Sequence, residues 1–273
     1  MSSTRESPIT ILIPHFQTLD SIKLCLRSIR KFTRPPYVVR VLDNGSQDAS
    51  LDYLRSLRWI DLVAADSAND IWKAHYLSLN KAVSQLTTPY FLLMHSDTYV
   101  HRPGWLDFLQ RFVRAGCVAA GPRHQRVPVR TLPWLLPAAV QHLRTRERRP
   151  GVPELRSFCA LYETAPFHAL GCTFFTEKGE DITCRANEAL VRAGHPIRGL
   201  SAFELSPYVF HASAGTLMAQ GVQPLPRDQI KNACQRGVSY LDHRIYHRSS
   251  RFLDRFLNLA STRAILADET LDA

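Results

Sequence analysis

Two short polar segments contain the residue types that nucleotide or metal chemistry requires. The first is DNGSQD, which begins at Asp43, and the second is HSDT, which contains His95 and Asp97. Each follows an apolar run directly. Carboxylates in such places can accept hydrogen bonds from a nucleotide base or a ribose, or bind a divalent cation. An Asx turn at residues 43–46, with Ser46 capping the next helix, is the simpler interpretation of the first segment, and both can hold at once.

Two later positions add candidate catalytic and metal-binding side chains. Glu180 and Asp181 lie at the start of a helical pattern over residues 181–193, and His211 ends an apolar run. A helix dipole favours an ionised carboxylate at its N-terminus, so Asp181 is a candidate general base. Acids at a helix start can also serve the helix alone, and a lone histidine is commonly a hydrogen-bonded core residue. The residues by themselves leave these alternatives open.

The first 120 residues contain the elements that must position these side chains. Short apolar runs predict strands at residues 9–14, 37–42, 60–64, 90–94 and 117–120. Amphipathic stretches between them predict helices at residues 20–31, 47–57, 69–85 and 104–114. Such alternation predicts βαβ units and a mostly parallel sheet flanked by helices, with ligands bound at the carboxyl ends of the strands.

The remainder of the chain is less regular. Residues 122–156 are rich in arginine and proline, which predicts a long mobile segment with one helix near 137–146. Structured sequence is predicted to resume at 158–162, a strand is predicted at 208–211, and the tail from about residue 227 has a helical apolar pattern. No glycine-rich phosphate loop follows the first strand, which disfavours a dinucleotide-dependent dehydrogenase or a P-loop kinase.

Composition and charge further limit the partners, the cysteine chemistry and the cellular location that can be expected. The 273 residues include 34 Lys and Arg against 24 Asp and Glu, a net charge of +10 that favours an anionic partner. The six cysteines contain no CxxC pair, which argues against a zinc knuckle or a disulfide framework. No apolar run is long enough to span a membrane, and the N-terminus does not resemble a signal peptide. These features predict a cytoplasmic protein, with docking to the inner face of a membrane left open.

Five blocks in order resemble the family 2 glycosyltransferases, which have the GT-A fold. They are ITILIPHFQTLDSIKLCLRSI, VVRVLDNGSQD, PYFLLMHSDTYVHRPGWLDFL, EKGEDITCRANEALVRAGHPI and VFHASAGT. The resemblance implies a domain over residues 1–221 and a helical extension over 222–273. Within the domain it implies a donor-binding half at 9–120, the mobile basic loop at 122–156 and an acceptor and catalytic half at 157–221.

For the donor, the resemblance implies a nucleotide-diphosphate sugar, with a uridine or thymidine donor expected. Asp43 would accept a hydrogen bond from the ring N–H of the base, and Pro14 and Phe16 would border the base. Lys73 would approach the diphosphate, although it could equally be a solvated helix lysine. His95, Ser96 and Asp97 form the segment that resembles the D-x-D element.

For the metal and the chemistry, the resemblance implies Mn²⁺ or Mg²⁺ bound by Asp97 and His211. The sequence departs from the family at His95, which stands where the first acid of D-x-D is expected, and this puts metal affinity in question. Asp181, with Glu180 beside it, would take the proton from an acceptor hydroxyl. Attack on the anomeric carbon with departure of the diphosphate would invert the configuration.

Alternative functions are a nucleotidyltransferase and a basic nucleic-acid- or membrane-associated binding protein on the same scaffold. The nucleotidyltransferase should have a glycine- and arginine-rich loop after the first strand, and the sequence there is HFQT. No recognised DNA- or RNA-binding motif is present, so nucleic acid is disfavoured as a partner without being excluded. The expected acceptor is a saccharide, another glycan or a natural product, and the sequence does not choose among them.

Overall fold

The computed structural model describes residues 8–65, 71–123, 155–175, 181–211 and 257–273, with the backbone alone at 71–74. The described strands are β1 Ile9–His15, β2 Tyr37–Asp43, β3 Ile60–Ala64, β4 Tyr90–Met94, β5 Thr98–Val100, β6 Ala119–Pro122, β7 Cys159–Glu163, β8 Ile197–Leu200 and β9 Val209–His211. The described α-helices are α1 Leu19–Phe32, α2 Ala49–Ser56, α3 Ile71–Ser84, α4 Trp105–Arg114, α5 Thr164–Ala169, α6 Cys184–Arg192, α7 Ala202–Leu205 and α8 Ala260–Ala267.

Seven of the described strands form one sheet in the order β3-β2-β1-β4-β7-β6-β8. β1 pairs in parallel with both β2 and β4, β2 with β3, and β6 with β8. β7 is antiparallel to both of its neighbours, β4 and β6. The predicted mostly parallel sheet with flanking helices is therefore confirmed, and β7 is the antiparallel strand within it.

The alternation of side chains along β1 shows how the sheet is covered. Ile9, Ile11 and Ile13 are fully buried in a core cluster that includes residues of α1, α2 and α4. Leu12 points to the opposite face and joins a second cluster that includes residues of α3 and α6. Both faces of β1 are apolar because helices cover each side of the parallel part of the sheet.

A second, two-stranded sheet brings a late part of the chain to the end of β4. β5 begins immediately after Asp97, and β9 pairs with it antiparallel so that Thr98 faces His211. β5 also rests on α1, where the Val100 amide donates to the Ser28 hydroxyl at 3.0 Å. This pairing fixes the distance between the HSDT segment and His211.

Some element boundaries differ from the sequence-based ones. α2 begins at Ala49, and its N-cap is Asp48, which accepts from the Ser50 amide. The predicted Ser46 cap is therefore wrong, because the Ser46 hydroxyl accepts from the Gln17 amide at 2.7 Å instead. The strand predicted at residues 117–120 lies two residues later, as β6.

The C-terminal residues pack on α1. α8 is followed by a short 3₁₀ helix, Glu269–Asp272, and the buried Arg27 of α1 pairs with Asp272 and with the Leu266 carbonyl. The predicted helical tail is confirmed for these residues. The predicted helix near 137–146 and the proposed boundary near 221 lie outside the described residues. None of the helices in the described part of the chain is long and apolar enough to cross a membrane.

Candidate active site

Three potential metal ligands converge where β4 ends and β9 ends. His95 Nδ1 lies 3.9 Å, and His211 Nε2 lies 3.4 Å, from Asp97 Oδ1. One ligand atom from each residue lies within 4.8 Å of the others. The resemblance implies that Asp97 and His211 bind one cation. The antiparallel pairing of β5 with β9 brings the two residues into contact.

The surroundings hold this cluster in place. The His211 ring stacks on Phe158 with the centroids 3.9 Å apart and the planes 9° from parallel. Asp97 and His211 are 3% and 1% exposed. Two imidazoles and one carboxylate form a mixed nitrogen and oxygen donor set, which suits Mn²⁺ better than the oxygen-preferring Mg²⁺. The residues therefore fit a divalent cation.

A hydrogen-bonded chain fixes the tautomer of His95. Its Nε2 lies 2.9 Å from the Ser157 hydroxyl, which itself donates to Asp181 Oδ2 at 3.3 Å. Because that hydroxyl has a single proton, His95 Nε2 must be the donor to Ser157, which leaves Nδ1 unprotonated beside Asp97. Burial lowers the pKa of His95, helped by His211 and opposed by Asp97 and Asp181, and the ring is therefore neutral, as a metal ligand must be.

Asp181 is tied to two backbone segments. Its Oδ1 accepts from the Ser157 amide at 3.2 Å and from the Thr183 amide at 3.2 Å, and it lies 3.0 Å from the Thr183 hydroxyl, which donates to the Leu155 carbonyl at 2.5 Å. Arg156 Nη1 lies 4.0 Å from its other oxygen. The helix predicted to start at residue 181 begins at Cys184 instead, because Asp181 forms a local turn with Thr183. Asp181 therefore precedes the helix, and Glu180 lies outside the described residues.

Asp43 ends β2 and forms the expected turn. Its Oδ1 accepts from the amides of Gly45 at 3.1 Å and Ser46 at 2.9 Å, and Gly45 has the left-handed φ of 92°. Its Oδ2 is buried and has no hydrogen-bond partner among the described residues. The turn thus uses only one of the two carboxylate oxygens.

Three other predicted donor residues, Pro14, Phe16 and Ser96, lie at or just after the ends of β1 and β4. Pro14 lies in β1 opposite Leu42, and the half-buried Phe16 follows the strand. Ser96 is buried between His95 and Asp97. The side chain of Lys73 lies outside the described residues, although its backbone is in the first turn of α3.

Three residues at the site were not predicted from the sequence. Ser157 and Phe158 immediately precede β7, whose antiparallel course brings them to the end of β4. His75 of α3 has its ring centroid 6.1 Å from that of His95, and burial, together with His95, lowers its pKa to about 3. A serine, a phenylalanine and a helix histidine have no pattern of their own in this sequence, so no local signal could have identified them.

The chain is similar to known proteins in both sequence and fold. Residues 10–171 match the family Glycosyl transferase family 2. No curated protein matches the sequence. A mannosyltransferase from Pyrobaculum calidifontis, solved with GDP-Man and Mn²⁺, is 17% identical with a TM-score of 0.56, and the match covers 99% of this chain and 77% of that one.

A second similar structure is residues 1–349 of TarS from S. aureus. It is 15% identical with a TM-score of 0.52, and the match covers 95% of this chain and 74% of that one. At such identities these structures show the fold, and the family match over more than half of the chain shows the family. The strand order, the flanking helices and the family match together lead to one conclusion: the chain belongs to glycosyl transferase family 2, has the GT-A fold and is a glycosyltransferase.

Proposed function

We propose that this glycosyltransferase moves a sugar from a nucleotide-diphosphate donor to an acceptor hydroxyl, with a divalent cation and with inversion of configuration. The observation that carries the proposal is the His95, Asp97 and His211 cluster, which a single serine connects to Asp181. The similar mannosyltransferase was solved with GDP-Man and Mn²⁺, which supports the same class of donor and cation here.

The cation site consists of Asp97, His211 and the unprotonated Nδ1 of His95. A bound divalent cation would neutralise the charge that develops on the departing diphosphate. His95 therefore replaces the expected acid as a nitrogen ligand. We expect Mn²⁺ to bind more tightly than Mg²⁺ for this reason.

The donor base is bound at the ends of β1 and β2. Asp43 Oδ2 accepts a hydrogen bond from a ring N–H, with Pro14 and Phe16 beside the base, Ser96 near the sugar and Lys73 near the diphosphate. Uracil and thymine offer such a group at N3, which is why the sequence alone leads to the expectation of a uridine or thymidine donor. Guanine offers one at N1, so Asp43 alone does not choose among these bases.

Asp181 is the general base for the acceptor hydroxyl, with Glu180 next to it in the chain. Its hydrogen bonds to the backbone on both sides orient the carboxylate, which a base in a single-displacement reaction requires. Removal of the acceptor proton makes the oxygen a nucleophile toward the anomeric carbon. Attack opposite to the leaving diphosphate inverts the anomeric configuration.

The proposed domain organisation separates donor binding from acceptor binding and catalysis. The donor half is residues 9–120, the acceptor and catalytic half is 157–221, and the basic segment 122–156 lies between them. Residues 222–273 extend the domain. The acceptor is a saccharide, another glycan or a natural product, with a membrane surface as a further candidate partner.

Thermal stabilisation by a panel of nucleotide sugars, with Mn²⁺ and with a chelator, tests the proposal. We expect stabilisation by at least one nucleoside diphosphate and its sugar, with most of the effect lost on chelation or in Asp97→Asn. Stabilisation by nucleotide sugars without any metal dependence would refute the cation site. No stabilisation by any of them would instead favour a binding protein that has kept only the scaffold.

A further inference from the structure

His15 and Asp43 form a pair of buried polar residues at the carboxyl ends of neighbouring strands. β1 and β2 are parallel, and the two residues lie directly opposite each other in their register. Residues in register on parallel strands project to the same face of the sheet. His15 is 1% exposed and Asp43 is 2% exposed. Both side chains therefore project to the same face, at the strand ends where the donor base is proposed to bind.

Each residue has one polar atom that lacks a hydrogen-bond partner among the described residues. These atoms are His15 Nδ1 and Asp43 Oδ2. Buried polar atoms in folded proteins almost always have partners, because an unpaired one loses its hydration without compensation. Two such atoms on residues that are neighbours across two strands therefore suggest a ligand that completes their hydrogen bonds.

Neighbouring residues determine that His15 Nδ1 is an acceptor. The Ser50 hydroxyl donates to Asp48, the N-cap of α2, and its amide also bonds that carboxylate at 3.2 Å. Its single proton is thus in use, so His15 Nε2, 2.9 Å away, must be the donor to Ser50. Burial lowers the pKa of His15 to about 4 despite Asp43 and Asp48, so the ring is neutral near pH 7 with a lone pair on Nδ1.

Two acceptors on neighbouring residues match a ligand that presents two donors next to each other. Guanine has N1–H and the N2 amino group next to each other on its Watson–Crick edge. Uracil and thymine have a single N–H between two carbonyl oxygens, which would place a carbonyl oxygen against the lone pair of His15. Cytosine and adenine each present one amino group beside an unprotonated ring nitrogen. Among the common bases, the pair matches guanine alone.

We propose that the donor pocket selects guanine, with Asp43 Oδ2 accepting from N1–H and His15 Nδ1 accepting from the N2 amino group. This inference rests on the proposed function, because it requires a nucleotide base at the ends of β1 and β2. It assigns a guanosine-diphosphate sugar as the donor class. It also makes His15 a specificity-determining residue.

Inosine diphosphate provides a clean test, because hypoxanthine is guanine without the 2-amino group. With Mn²⁺ present, calorimetry should show the wild-type protein binding GDP about ten-fold more tightly than IDP, since IDP leaves one buried acceptor unpaired. UDP should bind more weakly than GDP. His15→Leu should weaken GDP binding about ten-fold and leave IDP binding unchanged, which would abolish the difference between the two nucleotides. Asp43→Asn should weaken the binding of both purine nucleotides.

The matched control is His168→Leu, which removes an exposed histidine of α5 and should preserve the preference for GDP. The comparison of GDP with IDP on the wild-type protein needs no variant, so it remains decisive if His15→Leu does not fold. Equal binding of GDP and IDP, or tighter binding of UDP, would overturn the inference and leave the proposed transferase intact. If no nucleoside diphosphate binds with Mn²⁺, the proposed function itself fails.

Discussion

At the scale of single residues, the site depends on side chains that orient other side chains by hydrogen bonds. Ser157 is the clearest case, because its hydroxyl accepts from His95 and donates to Asp181. It is not among the proposed cation ligands, which are His95, Asp97 and His211. It is a positioning residue that keeps Nδ1 of His95 unprotonated and fixes the Asp181 carboxylate.

Ser157→Ala should therefore weaken Mn²⁺ binding by roughly 10- to 100-fold, the range seen when the partner of a metal-binding histidine is removed. Calorimetric titration with Mn²⁺ measures this directly. Ser157→Thr keeps the hydroxyl and should restore much of the affinity. Ser84→Ala, at an exposed serine of α3, is the control for a simple loss of a hydroxyl. Unchanged Mn²⁺ affinity in Ser157→Ala would contradict the positioning role of Ser157.

Asp181→Asn should lower turnover by roughly 10²- to 10⁴-fold, because the amide keeps the size of the side chain and removes its basicity. Donor binding should stay nearly the same, and Glu180→Gln should have a milder effect. The variant also changes a hydrogen-bonded turn, so its melting temperature must be measured beside its activity. A larger loss in Glu180→Gln would transfer the role of base to that residue.

NMR of the product tests the stereochemistry of the same step. An α-linked donor should give a β-linked product, since a single displacement inverts the anomeric carbon. Retention of configuration would contradict the assignment of Asp181 as a base in a single displacement.

At the scale of the elements, α1 connects the C-terminal residues with the site. Tyr99 of β5 donates to Ser21 of α1 at 3.2 Å. Asp272, near the C-terminus, accepts from Arg27 of the same helix. Arg27 is 3% exposed, and Tyr53 of α2 also donates to Asp272 at 2.8 Å. The last helical turn thus supplies the carboxylate that a buried arginine needs.

Asp272→Ala should lower the free energy of unfolding by about 2 kcal/mol, which is below the usual range for breaking a fully buried pair because Asp272 is partly exposed. Urea denaturation measures the change. Asp61→Ala is the matched control, since Asp61 pairs with Arg40 at 44% and 25% side-chain exposure and should cost well under 1 kcal/mol. Equal effects of the two substitutions would show that the C-terminal contact adds nothing beyond a surface pair.

The same contact predicts a pH dependence. Burial raises the pKa of Asp272, but the hydrogen bonds from Arg27 and Tyr53 outweigh it, so the pKa lies below the ordinary value of 3.8. A carboxyl whose pKa falls on folding stabilises the protein above its unfolded pKa and loses that contribution as pH falls through the folded value. The stability difference between wild type and Asp272→Asn should therefore shrink as pH falls below about 3.8.

At the scale of the whole molecule, the basic segment 122–156 contributes to the net positive charge. Its two ends lie close together beside the site. The Arg156 amide donates to the Pro122 carbonyl at 2.7 Å, and the Arg156 side chain lies 4.0 Å from Asp181. Residues 124–154, between these two positions in the chain, lie outside the described residues. The position supports the prediction that the segment contacts the acceptor or a membrane surface.

Replacing Arg144, Arg146, Arg148 and Arg149 with glutamine should weaken binding to an anionic acceptor or to vesicles containing anionic lipid. The effect should diminish at high salt, because exposed charges are screened over about 10 Å at 0.1 M ionic strength. Binding of the nucleotide donor should be unaffected. Vesicle sedimentation and acceptor titration at two salt concentrations measure the effect, and unchanged binding in both assays would refute this role.

Sequence alone determined the alternation of strands and helices, the family and the residues at the strand ends. Asp43 and Asp97 could be selected because each directly follows an apolar run, and such runs in a parallel sheet end at one edge. The local period of apolar residues is set by contacts within each element and its covering layer. This period can therefore be recognised from consecutive residues, without knowing which distant residues they contact.

Tertiary structure alone decided how those residues cooperate. The antiparallel course of β7 places Ser157 between His95 and Asp181, and the pairing of β5 with β9 places His211 on Asp97. The parallel register of β1 and β2 sets His15 beside Asp43. Hydrogen bonds and ring stacking act over a few ångströms between residues far apart in the chain, so no periodicity in the sequence encodes them. For that reason the tautomers of His15 and His95, and the base specificity inferred from one of them, could be read only from the fold.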